Sequence, residues 1–116
     1  MKRRPKYLEK LYSGKTTRER SSKQESRIAS ELNGRTTINS GATLGENDVV
    51  TDFMEVEAKT TQKESFSLKL SDFRKLKKKA KVGKIPAMVI DFESSKDSLA
   101  VLPYDDLIYL IQEANR

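Results

Sequence analysis

Residues 48–59 read DVVTDFMEVEAK, and the way this stretch folds decides the architecture around it. Met54, Val56 and Ala58 alternate with Phe53, Glu55, Glu57 and Lys59, and a period of two is the signature of a strand. Asp48–Thr51 starts one strand, Phe53–Lys59 forms the next, and Asp52 falls at the turn between them. One face of the second strand is apolar, while the other presents two carboxylates and an ammonium. Glu57 and Lys59 stand two apart and so point the same way. Asp48 ends a loop and enters the neighbouring strand, close enough to share their site.

Upstream, the pattern predicts a helix over residues 22–32, capped by Ser21 or Ser22 and stopped by Asn33-Gly34. Ile28, Ala29 and Leu32 share its apolar stripe, and Glu25 lies on that stripe too. A carboxylate on a buried face needs a partner. Thr36, Thr37 and Ile38 are β-prone, and Ser40–Asn47 reads as a loop. Downstream, Ser71 opens a helix running to about Lys81, with Phe73, Leu76 and Ala80 inward and Lys75, Lys78, Lys79 and Lys81 over the rest. Ile85–Phe92 is an apolar strand, Leu99–Leu102 a short one, and Pro103 opens a last helix carrying Leu107, Ile108, Leu110 and Ile111. The order is α-β-β-β-α-β-β-α without internal repeat, which predicts an α/β fold: a mixed sheet with helices against it.

Composition narrows the chemistry. The chain has 116 residues, 35% hydrophobic and 34% charged, with no Cys, Trp or His. Disulfides, thiolate or imidazole metal sites, cysteine nucleophiles and Ser-His-Asp triads are excluded. An enzyme built from these residues runs on carboxylates, Lys, hydroxyls and a hard cation with oxygen ligands. No apolar run approaches the length of a membrane span and no signal-peptide core opens the chain, so the expectation is a soluble protein acting in the cytoplasm, that of a host cell if phage-encoded.

The net charge of +6 is unevenly spread. Residues 1–20 hold eight Lys/Arg against two Glu, and residues 69–84 hold eight against Asp72 alone; residues 21–68 and 85–116 are both net acidic. Two cationic blocks suit a polyanion, since release of condensed counterions drives binding. Residues 1–20 read as a basic arm and residues 21–116 as a single domain. The candidate nucleic-acid contacts are Lys2, Arg3, Arg4, Lys15, Arg18 and Arg20 in the first block and Lys75, Lys78 and Lys79 in the second. Gly14-Lys15-Thr16 is no phosphate-binding loop, because Glu9 stands where that motif needs its first Gly.

Carboxylates facing a polyanion repel it unless a cation neutralises them. Asp48, Glu57 and the backbone carbonyl of Ala58 make a cradle for Mg²⁺, and Lys59 beside it is placed to orient a water or to offset charge on the phosphate under attack. Glu25 reaches towards the same cluster from its helix. The Glu-x-Lys spacing occurs once, about as often as chance allows for ten Glu and fifteen Lys. Its weight therefore comes from the arrangement: an acid on an apolar helix face, a loop ending in Asp48-Val49-Val50, an alternating strand ending Glu57-Ala58-Lys59, then a basic helix.

That arrangement resembles the PD-(D/E)xK nuclease superfamily, and within it the small archaeal-type Holliday junction resolvases. The likeness covers roughly residues 18–110 and is carried by residues 20–32, the Ser40-Gly41 loop, Asp48-Val49-Val50, Glu55–Lys59, the helix 71–81 and residues 83–90. The resemblance implies a restriction-endonuclease-like fold. It implies a helix acid at Glu25, a first metal acid at Asp48, the Glu-x-Lys pair at Glu57 and Lys59, and a loop serine near the scissile phosphate at Ser40. It further implies a Mg²⁺-dependent homodimer (Mn²⁺ substituting) that cuts opposed strands of a four-way junction. Asn47 stands where the superfamily has its Pro, and the gap from Asp48 to Glu57 is short, so the hairpin between them must be tight. With 116 residues there is no room for a separate sequence-reading domain, which favours recognition of branch shape. Two alternatives remain: a nuclease of the same fold acting on other branched, nicked or mismatched DNA, and a non-catalytic nucleic-acid-binding module.

Overall fold

The computed structural model describes residues 17–37 and 47–116. Within them the elements run α1 (Thr17–Glu31), β1 (Arg35–Thr36), β2 (Val49–Val50), β3 (Met54–Thr61), α2 (Leu70–Lys79), β4 (Ile85–Phe92), β5 (Asp97–Val101) and α3 (Tyr104–Ala114). The five strands form one mixed sheet in the order β1-β2-β3-β4-β5. Neighbours are antiparallel except β3 and β4, which run parallel. α2 is the crossover that a parallel pair requires. The chain is thus an α/β protein with an open mixed sheet and helices, in the predicted order.

Both faces of the sheet are covered. α1 packs Ile28 and Ala29 against Val49, Val56 and Ala87, while α2 packs Phe73 and Leu76 against Met88 and Ile90 on the opposite face. Each of these large side chains contributes about 1.5–3 kcal/mol by leaving water. Because β3 alternates, the face of Glu55, Glu57 and Lys59 is the one roofed by α2. Glu55 is 1% exposed, and its carboxylate accepts hydrogen bonds from Asn47 Nδ2 at 2.9 Å and the backbone N–H of Lys81 at 2.8 Å. Asn47 Nδ2 also donates to the carbonyl of Leu76 at 3.2 Å.

Several boundaries differ from the sequence expectation. α1 begins at Thr17, before either serine expected to cap it, so Arg18 and Arg20 belong to the helix and not to an arm. Glu19 in its first turn favours the helix dipole, and Arg20 is tied to Glu93 by an ion pair of 3.3 Å. The helix stops where expected, with Asn33 in the left-handed region (φ 57°). Gly34 is required there, because a Cβ would lie 2.6 Å from the Val50 carbonyl oxygen. Leu32, just past the last turn, is exposed, and the buried stripe instead takes in Gln24 at 0% exposure. α2 starts a residue before Ser71 with Lys69 as N-cap, so Ser71 sits in the first turn and caps nothing. Ala80 lies past its end.

α3 starts after Pro103 as expected but has no buried residue, so its apolar side chains are not core. Among the described residues no helix is long and apolar enough to cross a membrane. Ile38, Ser40, Gly41 and residues 1–16 lie outside the described residues.

Candidate metal and phosphate site

The β2–β3 hairpin sets the geometry. Val49 pairs with Val56 and Val50 with Glu55, so one step further along the ladder Asp48 comes opposite Glu57. Thr51 closes the turn, its Oγ1 accepting hydrogen bonds from the N–H groups of Phe53 and Met54 at 3.2 and 3.0 Å. The Thr51 N–H donates to the Met54 carbonyl at 2.9 Å, so the nine-residue gap is what an antiparallel ladder with a two-residue turn needs to bring two acids face to face. Asp48 Oδ2 accepts the N–H of Ala58 at 2.8 Å, which seats this carboxylate on the backbone of the Glu-x-Lys segment.

Glu25 arrives from α1. Its neighbour Gln24, fully buried, donates from Nε2 to the Lys59 carbonyl at 2.8 Å, docking the helix on the end of the Glu57-Ala58-Lys59 segment. Lys59 Nζ stands 3.6 Å from Glu57 Oε2. The structure thus brings together Glu25, Asp48, Glu57 and Lys59, the four side chains singled out in the sequence.

The setting of Glu25 and Glu57 shows in their acidity. Burial, then the charges of Asp48 and Glu57, raise the Glu25 pKa from 4.5 to about 7. Burial, with the charge of Asp48 and a hydrogen bond to it, raises Glu57 from 4.5 to about 6, against the opposing pull of Lys59 and Lys79. Two acids held back from ionising, first by burial and then by neighbouring carboxylates, are what a cation relieves. Among the described residues no three acids form a ready-made coordination cage. The donor set, two or three carboxylates with the Ala58 carbonyl beside them, matches the oxygen preference of Mg²⁺ or Mn²⁺.

Both folded-state values lie above the unfolded one, so their contribution to stability is full below pH 4.5 and lost as pH rises through about 6 to 7. Glu25→Gln copies the protonated acid. Without divalent ions it should raise the melting temperature at pH 8 by about 4–8 °C, on the order of 1 kcal/mol after discounting for solvent at this half-exposed position. At pH 4 it should leave melting unchanged. Thermal melts at the two pH values check this.

Glu57 and Lys59 open into a cleft of about 660 Å³. Its far wall is α2, which contributes Asp72, Lys75, Leu76, Lys78 and Lys79, with Met88 at its floor. Asp48 and Glu25 are not among the lining residues. Three of the expected nucleic-acid contacts, Lys75, Lys78 and Lys79, therefore face the acidic site across one opening. Arg20 is held against Glu93 with its side chain only 16% exposed, so it is not presented to a phosphate. Lys2, Arg3, Arg4 and Lys15, and Ser40 as the loop serine, fall outside the described residues.

Sequence reasoning missed Gln24, Asn47 and the buried role of Glu55. It also missed the ion pair under α1, where Arg27 Nη1 and Nη2 meet Asp91 Oδ2 and Oδ1 at 2.7 and 3.0 Å. A signal for that pair existed, since Asp91 interrupts an otherwise apolar strand. Compared with known proteins, the chain matches no family model, and no curated protein or solved structure gives a significant match.

Proposed function

We propose that this protein is a metal-dependent, structure-selective DNA endonuclease of the PD-(D/E)xK type, with the four-way junction as its preferred substrate. The observation that carries the reading is the register that sets Asp48 opposite Glu57, beside Lys59 and across a cleft from a helix wall of lysines. The order of strands, with the parallel β3–β4 pair bridged by a basic helix, is compatible with the restriction-endonuclease-like architecture. The choice of four-way junction rests on the resemblance in residues 18–110.

In this reading Asp48, Glu57 and the Ala58 carbonyl hold the cation, with Glu25 behind them. The bound ion supplies Lewis-acid polarisation of the phosphate and makes a water more acidic. Lys59 sits where its ammonium balances charge gathering on the phosphate. Lys75, Lys78 and Lys79 hold the flanking backbone and carry no base-specific contact, as phosphate contacts generally do not.

Purified protein is offered four-way, flapped, nicked and linear duplexes with and without Mg²⁺ or Mn²⁺. Cation-dependent cutting of the junction in preference to the others is expected, and its loss in Glu57→Gln and Lys59→Ala. Cutting that survives both substitutions would place the site elsewhere, and binding without cutting under either metal would make this a binding module. Preference for flapped or nicked duplex would keep the nuclease and change its target. Replacing Lys75, Lys78 and Lys79 with Ala should weaken junction binding and flatten the dependence of log K on log salt by about 2–3. Fluorescence anisotropy across a salt series measures it.

A further inference from the structure

We propose that residues 7–12 of the N-terminal segment dock on α3 of the same chain and cover its apolar stripe. The inference does not require the nuclease reading, since no residue of the acidic site or of its lysine wall takes part. Tyr104, Leu107, Ile108 and Ile111 fall on one side of α3 and are exposed by 74, 40, 39 and 54%. On a helix with no buried residue, such a stripe is a patch of the kind that marks an association surface.

Pattern, charge and reach name the occupant. Tyr7, Leu8, Leu11 and Tyr12 recur at the spacing of one helical face, a stripe of the same size and kind as that on α3. Residues 1–16 hold six Lys/Arg against Glu9 alone. α3 opens with Asp105 and Asp106, Asp105 bordering the stripe, and Arg116 beyond its end is paired with Glu113 at 3.0 Å. The neighbouring apolar groove, lined by Leu68, Leu70, Phe73 and Val101, is flanked by Arg74 and Lys77 and so repels a basic segment. Reach follows from the sheet. Arg20, in the first turns of α1, is paired with Glu93; Phe92 pairs with Asp97 at the start of β5, and β5 leads to Pro103 and α3. From Asp97 to Pro103 is about 20 Å at strand spacing. Tyr7–Tyr12 lies five to ten residues ahead of Thr17, which spans up to roughly 17–35 Å. Leu102, two residues before α3, packs on the cluster that α1 makes with the sheet, so the segment leaves α1 on the side where α3 is rooted. A tether this short holds the segment near α3 at about millimolar effective concentration, which favours the chain's own stripe over that of a second copy.

The chain has no cysteine, so introduced pairs report proximity cleanly. Full-length variants carry Leu8→Cys or Leu11→Cys together with Ile108→Cys or Ile111→Cys and are treated, dilute, with a short bismaleimide. At least one pairing should close within a single chain, at 13.2 kDa, while Leu11→Cys with Leu70→Cys in the basic groove should not. Adding Asp105→Lys/Asp106→Lys should slow that closure by about threefold or more. Adding Lys6→Glu/Lys10→Glu as well should restore it, which also shows that the slowed chain is folded. Products found only at twice the chain mass would make α3 a contact between copies and overturn the proposal. Closure onto Leu70→Cys as fast as onto α3 would make the segment an undirected tether, and closure indifferent to the charge exchange would remove the acids from the contact; either refutes it. No product in any pairing would leave the stripe to a separate partner and equally refute it.

Discussion

Asp48→Asn is expected to reduce Mg²⁺-dependent junction cleavage by at least about 10²–10³-fold, while junction binding stays within about threefold. The asymmetry follows from what Asp48 touches. Its Oδ2 accepts the Ala58 N–H, a bond that the amide oxygen of Asn can still accept, so the hairpin and the cleft keep their shape. What is lost is a negative oxygen facing Glu57, and with it a ligand for a divalent ion. The lysines that would grip the phosphates lie on α2 and are untouched. Single-turnover cleavage and anisotropy on the same junction measure the two quantities. A second readout needs no activity. If the proposed site holds the cation in the folded state alone, Mg²⁺ should raise the melting temperature of the wild type at pH 8 and should raise that of Asp48→Asn much less. A variant that cuts at the wild-type rate would remove Asp48 from the reaction.

Asp91→Ala should be the most destabilising single change, by about 3–5 kcal/mol, since it strands a buried guanidinium. Asp91 is 0% exposed and takes Arg27 through two oxygens, with Glu31 a further 3.4 Å partner of Arg27 Nε. At roughly 4–8 °C per kcal/mol for a domain of this size, the melting temperature falls by about 12–40 °C. Arg27→Met together with Asp91→Leu should recover much of the loss, because a buried pair replaced by apolar groups of similar volume is often neutral. Denaturant melts of the single and double variants distinguish a lost pair from a general defect in packing.

The parts of the fold that follow from local patterning were legible in the sequence. Ile85–Phe92 was bounded correctly because an apolar run between Gly83 and a polar turn admits little else. The facing of Asp48 and Glu57 could be anticipated because strand periodicity and gap length together dictate a ladder. What local pattern could not supply was contact across the sheet. α1 already runs through Arg20, which pairs with Glu93, a residue more than seventy positions away. The face of Glu55 and Glu57 reads as solvent-facing by alternation, yet α2 covers it, and only the crossover connection determines that. Asn47 looked like the last residue of a loop, since nothing in its neighbours reports a glutamate and a helix end waiting above it. α3 had the composition of a core helix, and its exposure among the described residues depends on where the other elements lie, which its own sequence does not report.

Asn47 has one more implication. It precedes Asp48 in the chain and holds both Glu55 and the Leu76 carbonyl, while Glu55 takes the N–H of Lys81. The strand entry that carries Asp48 and the lysine-bearing helix are thereby tied to a common frame. On the proposed function, discrimination then falls to the nucleic acid: the backbones accepted are those pliant enough to bend into the gap, and the elastic work of doing so, paid by the substrate, is what separates a branch point from a stiff duplex.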